Sequence, residues 1–303
     1  MKNEEQKAES EGSRQENFPA ASSPLSAKKL LTEYGLRPKK RLGQNFLIDR
    51  NILSRIIEAA DITPGSNVLE IGPGLGVLTQ GLLDSGARVV CVEADPHLRP
   101  VLEKVLAGYE RVEIIIKDFL EIDLPTFLRD RADGKWIAVG NLPYYITSPI
   151  ITKLLDSRTM FSHILLMVQR EVAERLKSAP GSEDYGALTV LVQFYCDIVS
   201  VMRVSRNVFY PVPEVDSELV KLIVRERPRA EVSDESLFFR IVRAAFGKRR
   251  KTLENALSSS PDLGWDKEKA RRILERAEID PARRGETLSI EEFARIANNA
   301  TGQ

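Results

Sequence analysis

Asn67-Val68-Leu69-Glu70-Ile71-Gly72-Pro73-Gly74-Leu75-Gly76-Val77 runs a short apolar segment into three glycines spaced two apart, and its reading decides the fold. An apolar run that stops at a Gly-rich turn reads as a buried strand passing into a helix, where missing Cβ atoms let backbone N–H groups approach a ligand. A dinucleotide fingerprint, G-x-G-x-x-G, would need glycine or alanine at position 77, and this chain has Val77. Working outward, residues 88–92, Val112–Ile116, 136–140 and 163–168 form further apolar runs, each separated from the next by a helical segment. They show little polar alternation, as strands buried on both faces require. The pattern predicts an α/β fold built on an open, mostly parallel sheet. The later runs 190–194, 198–204 and Ser217–Val224 are expected to extend that sheet through an antiparallel hairpin.

A polar residue closes each of the first four runs: Glu70 with its glycine turn, Glu93, Asp118 and Asn141. Ligands of such sheets bind outside the carboxyl ends of the strands, so one cleft can collect all four. The last of them opens Asn141-Leu142-Pro143-Tyr144-Tyr145. The Asn side-chain oxygen and the Leu142 carbonyl, before a proline without an N–H, can both accept hydrogen bonds from an exocyclic amine, while Tyr144 stacks on a base. The competing reading is a surface turn carrying two half-buried tyrosines.

Composition narrows the alternatives. The chain has 303 residues, 43% apolar, with 44 basic and 44 acidic side chains, so overall charge decides nothing about a nucleic-acid partner. Cys91 and Cys196 show neither pairing nor metal spacing, and His97 and His163 belong to no Cys/His cluster. A reduced cytoplasmic setting without a metal site or a Ser-His-Asp triad is expected. No apolar run approaches the length of a membrane span. Residues 1–27 read as a disordered tail rich in Glu, Ser, Gln and Ala, 28–228 as the α/β domain, and 229–303 as a small helical domain with a stripe of Phe238, Ile241, Val242, Ala245, Leu253 and Leu257. Within the first domain a short helix is read over 28–34, and Asp49 is placed to cap a helix bearing Ile52, Leu53, Ile56 and Ile57. Two basic runs, Lys39-Lys40-Arg41 and Lys248-Arg249-Arg250-Lys251, suggest a nucleic-acid phosphate footprint, the plain alternative for the second being a solvated helix face.

The acidic-x-G-x-G-x-G turn with Glu93 closing the next strand resembles the first motif of S-adenosylmethionine methyltransferases. Arg41-Leu42-Gly43-Gln44-Asn45-Phe46-Leu47, Glu70-Ile71-Gly72-Pro73-Gly74, Asn141-Leu142-Pro143-Tyr144 and Phe246-Gly247-Lys248-Arg249-Arg250-Lys251-Thr252-Leu253 occur in the order seen in the ribosomal RNA adenine dimethylase family. The likeness covers residue 28 to the C-terminus, and within the family the chain resembles the bacterial small-subunit type. The resemblance implies a Rossmann-like S-adenosylmethionine methyltransferase domain followed by a small all-helical C-terminal domain that binds RNA. It implies a monomer that uses S-adenosyl-L-methionine to dimethylate the N6 amines of two adjacent adenosines in the 3'-terminal hairpin loop of 16S ribosomal RNA, within an immature small ribosomal subunit.

On the same ground Asn45, Leu47, Gly72, Gly74, Glu93, Asp118 and Asn141 line the cofactor site, with Glu93 on the ribose hydroxyls and Asp118 on the adenine amine. Asn141, Leu142, Pro143 and Tyr144 form the catalytic acceptor, Tyr144 stacks on the target base, Phe209 is a second aromatic wall, and Lys248, Arg249, Arg250 and Lys251 contact RNA. The family segment usually reads Phe-x-Pro-Pro-Pro-Lys, from which this chain departs at Val212 and Glu214. The sulfonium methyl is already activated, so the chemistry asks for placement of N6 and needs no His or Cys base. The nearest alternative enzyme is the 23S ribosomal RNA methylase of the macrolide-resistance type; a DNA adenine methylase would bring a separate target-recognition domain. From another class, relatives of this fold serve as nucleic-acid-binding assembly factors in which methylation is dispensable.

Overall fold

The computed structural model describes residues 24–248 and 250–301. The expected tail lies, up to residue 23, outside the described residues, but its last four residues, 24–27, open a helix in which Ala27 is fully buried, so the ordered domain starts earlier than expected. Helix α1 (Pro24–Glu33) and a two-residue strand β1 (Phe46–Leu47) precede α2 (Arg50–Ala59), which begins where Asp49 accepts from the N–H groups of Asn51 and Ile52. Strand and helix then alternate through β2 (Asn67–Ile71), α3 (Val77–Asp84), β3 (Arg88–Glu93), α4 (Arg99–Val105), β4 (Val112–Ile116), α5 (Leu124–Arg129), β5 (Trp136–Asn141), α6 (Thr147–Asp156) and β6 (Phe161–Gln169). Helices α7 (Arg170–Lys177) and α8 (Ala187–Tyr195) lead into β7 (Cys196–Val204), β8 (Phe209–Tyr210) and β9 (Ser217–Val224). The chain ends in α9 (Glu235–Gly247), α10 (Leu253–Ser258), α11 (Lys267–Arg276) and α12 (Ile290–Ala300). No helix among the described residues is long and apolar enough to cross a membrane.

Seven strands form one sheet in the order β4-β3-β2-β5-β6-β9-β7, parallel from β4 to β6, with β9 antiparallel between β6 and β7. This is a Rossmann-like α/β core with a helical C-terminal region. The strand order reverses between β2 and β5, where Ile71 faces Gly140, so the glycine turn and Asn141 leave the sheet side by side. The continuous apolar runs follow from burial on two sides. Val68, Val89, Cys91, Ile137, Val139 and Leu165 pack under α1 to α4, whereas Leu69, Ile71, Val90, Val92, Ala138, Ile164 and Leu166 pack on the opposite face under α5 to α8.

One expected strand is wrong. Residues 190–194 lie inside α8, not in the sheet. An apolar run of five cannot distinguish a buried strand from a helix wrapped by neighbours, and α8 is wrapped, with Val190, Val192 and Phe194 fully buried. Phe194 stacks on Phe238 of α9 at 4.6 Å between ring centroids. The predicted stripe of α9 and α10 is buried, and its apolar cluster continues from Trp136 of the sheet to Leu274 of α11.

Candidate active site

The four strand-end residues meet in one cleft. Glu70, Glu93, Asp118 and Asn141 line it with Gly72 and Gly74 of the turn after β2, and with Asn45, Phe46 and Leu47. Gly74 has φ +58°, and a Cβ there would lie 2.9 Å from Cδ1 of Phe46. The turn can thus sit flush beneath β1 only as glycine. Two backbone donors aim the Glu93 carboxylate: Gly74 N–H to Oε2 at 3.3 Å and Asp95 N–H to Oε1 at 2.8 Å. Asp118, exposed at the rim, accepts from Leu120 N–H at 2.8 Å.

Glu70 is 1% exposed, and its Oε2 has no hydrogen-bond partner among the described residues. Burial pushes its carboxyl up to about 8, and burial likewise pushes Glu93 up to about 7 against the pull of its backbone donors. A buried acceptor without a donor, a pre-aimed carboxylate and a rim carboxylate suit a ligand that carries an amine, a vicinal diol and an exocyclic amine. S-adenosyl-L-methionine, the cofactor expected from the sequence, presents all three. Among the described residues no group of three or more His, Cys, Asp and Glu is arranged to hold a metal ion.

Both glutamates hold protons more tightly when folded than at the ordinary value of 4.5, so their stability contribution is full below that value and lost as pH rises through about 7 to 8. Glu70→Gln is accordingly expected to flatten the fall in unfolding free energy between roughly pH 6 and 8.5 by on the order of 2 kcal/mol. Denaturant titration of the cofactor-free protein at both pH values checks this; parallel losses in parent and variant would mean that Glu70 is not the proton donor.

The acceptor motif is organised by the N-terminal segment. Asn141 Nδ2 donates to the Asn45 carbonyl at 3.0 Å, and a carbonyl there leaves the amide one orientation. Its oxygen is left to face a donor from elsewhere. Leu142 N–H donates to the Met167 carbonyl at 3.2 Å, which fixes the turn to β6. The Tyr144 hydroxyl lies 3.1 Å from Oγ of fully buried Ser217, so the ring is tethered at its far end. Tyr145, by contrast, is 59% exposed.

The structure does not bring every candidate to the cleft. Phe209, expected as a second aromatic wall, is 1% exposed and packs in the core as the partner of Leu47; alternation along β8 leaves Tyr210, not Phe209, at the adjoining groove. Lys248, Arg250 and Lys251 are exposed in the turn joining α9 to α10, so they form no helix face; Arg249 lies outside the described residues. Lys39 is drawn inward, its ammonium 2.8 Å from Asp95 Oδ1, and does not stand out as an open phosphate contact. Sequence reasoning missed Glu70 as an acceptor in its own right, as well as Gln44, Asp95 and Ser217. Only the position of Glu70 at a strand end could have marked it.

Residues 35–296 match the family model described as ribosomal RNA adenine dimethylase. The chain is similar to a ribosomal RNA small subunit methyltransferase A of Moorella thermoacetica, 49% identical over 88% of this chain and 94% of that protein. It is likewise similar to one of Alkaliphilus metalliredigens, 45% identical over 93% and 98%. Among solved structures, a dimethyladenosine transferase from Plasmodium falciparum superposes with a TM-score of 0.68 at 28% identity, covering 83% of this chain and 95% of that one. The 23S rRNA methyltransferase ErmE gives 0.61 at 28%, covering 85% and 100%.

Proposed function

The chain belongs to the ribosomal RNA adenine dimethylase family, and from that premise we propose that it dimethylates the N6 amines of two adjacent adenosines in the 3'-terminal hairpin loop of 16S ribosomal RNA. S-adenosyl-L-methionine, when bound, supplies the activated methyl group. The observation that carries the reading is the Asn141 amide, whose nitrogen is engaged by Asn45 and whose oxygen therefore serves as acceptor at the mouth of the cofactor cleft.

Asn141 oxygen and the Leu142 carbonyl take the two N6 hydrogens and turn the nitrogen lone pair toward the methyl donor. Tyr144, steadied through Ser217, stacks on the base. Glu93 would hold the ribose hydroxyls of the bound cofactor, while Glu70 would accept from its amine-bearing end. No side chain has to act as a strong base, because an N6 proton is easily lost once nitrogen is methylated. An adenine must leave its stack to reach this pocket, which favours a hairpin loop over a duplex. The identities of 45% and 49% to small-subunit enzymes, against 28% to ErmE, favour the small over the large subunit as substrate.

The deciding experiment incubates the protein with labelled cofactor and both ribosomal subunits, the small one lacking dimethyladenosine, then maps the product by mass spectrometry. Two dimethylated neighbours in the terminal hairpin are expected. Label confined to large-subunit RNA, or none, overturns the assignment. Neutralising Lys248, Arg249, Arg250 and Lys251 together is expected to lower the salt slope of particle binding by about 3, given roughly 0.7–0.9 per phosphate contact. Cofactor affinity should stay at the parental value, and an unchanged slope in filter-binding titrations would remove the turn from the RNA footprint.

A further inference from the structure

Asp95 stands two residues beyond Glu93, is 3% exposed, and gathers donors from a distant segment. Its Oδ1 accepts from Lys39 Nζ at 2.8 Å and from His97 N–H at 3.1 Å, and its Oδ2 accepts from Gln44 Nε2 at 3.0 Å. His97 Nδ1 lies 2.9 Å from both Asp95 Oδ1 and Lys39 Nζ. Gln44 closes the ring by accepting the Lys39 backbone N–H at 2.8 Å through Oε1. Capping the short turn that follows would require one oxygen facing His97 N–H and nothing more. The second oxygen and the Lys39 ion pair tie down residues 51 and 56 positions earlier in the chain. Burial by itself would raise this carboxyl, yet the bonds from Lys39, His97 and Gln44 hold it at about 2, so the clamp is charged at any working pH.

The segment that Asp95 holds is the one that covers the cleft. Gln44 is followed directly by Asn45, whose carbonyl receives the Asn141 amide, and by Phe46 and Leu47 over the glycine turn. A continuous series of bonds therefore runs from Asp95 through Gln44 and the Asn45 carbonyl to the acceptor amide. We infer that Asp95 is a positioning residue: its carboxylate clamps the 39–45 segment over the cofactor cleft and, through Asn45, sets the orientation of Asn141. The second half of this statement rests on the acceptor role proposed above for Asn141; the first half does not.

The test exchanges the two ends of one bond. Asp95→Asn presents an amide to Gln44, and Gln44→Glu sets a second carboxylate against Asp95. Each single variant is expected to weaken S-adenosyl-L-methionine binding by calorimetry, and to slow single-turnover methylation at saturating cofactor, by about tenfold or more, the worth of one charge-assisted hydrogen bond. In the double variant the amide introduced at position 95 donates to the carboxylate introduced at position 44, which still accepts the Lys39 N–H, and both losses should be largely recovered. A role confined to the turn at 95–98 predicts no recovery. Singles with parental affinity and rate, or a double variant no better than the two losses combined, overturn the inference. Should Asp95→Asn fail to fold, Gln44→Ala deletes the same bond from the other side, and parental cofactor affinity there overturns it equally. A parent protein that binds cofactor but methylates no RNA would refute the proposed reaction and leave the clamp to be decided by the binding measurements alone.

Discussion

Asn141→Ala is expected to leave the protein folded and to lower turnover by ten- to several-hundred-fold, on the order of 1.4–3.5 kcal/mol in the barrier. The substitution removes the oxygen proposed to accept from N6 and also the amide nitrogen that engages the Asn45 carbonyl at 3.0 Å. Base placement and the seating of the N-terminal segment are lost together. The second methylation should suffer more than the first, because monomethyladenine offers one fewer N–H and a bulkier amine to be positioned. Monomethylated adenosine should therefore accumulate, as mass spectrometry of time courses will report. A folded Asn141→Ala protein that dimethylates at the parental rate would reduce residues 141–144 to a surface turn and withdraw the proposed chemistry.

Gly74→Ala attacks the same cleft from its floor, and the expected loss of cofactor affinity is about a hundredfold. The backbone at φ +58° costs roughly 1–2 kcal/mol for a residue with a Cβ, before any contact is counted. The added carbon would meet the Phe46 ring at 2.9 Å, so either the turn or β1 must give way. Movement of the turn also withdraws the Gly74 N–H from Glu93, one of the two donors that aim that carboxylate. Calorimetry with S-adenosyl-L-methionine measures the effect, and circular dichroism establishes that the variant is folded. Affinity within a factor of about three of the parent would show that the turn does not touch the cofactor.

Strand-end residues were the legible part of this protein. Glu70, Glu93, Asp118 and Asn141 could be assigned to one cleft because a parallel sheet delivers successive strand ends to the same edge, whatever its helices contain. The short helix near residue 28, the Asp49 cap and the apolar stripe of α9 were legible for similarly local reasons. The misread run at 190–194 failed because burial on all sides erases the periodicity that separates a helix from a strand. Phe209 failed for a different reason, since which face of a two-residue strand meets the core depends on its partner, and that partner is Leu47 near the other end of the domain. Lys39 was read as an exposed cation because nothing nearby in sequence announces Asp95. Ser217, 73 residues from Tyr144, is invisible in the same way. Contacts of this kind follow from topology, and the insertion of β9 between β6 and β7 is not written in the order of the strands.

The pairing of β1 with β8, Phe46 with Tyr210 and Leu47 with Phe209, also carries a consequence for synthesis. A chain emerging from the ribosome exposes the glycine turn, Glu93 and the Asn141 amide long before Tyr210 has left the exit tunnel. Until then Phe46 and Leu47 have no strand to hold them, and local contacts form ahead of distant ones. A chain released before residues 209–210 would keep the bonds from Asp95 and Asn141 to the 39–45 segment but leave Phe46 and Leu47 without a partner strand, so the cover of the cleft would be held at one end only.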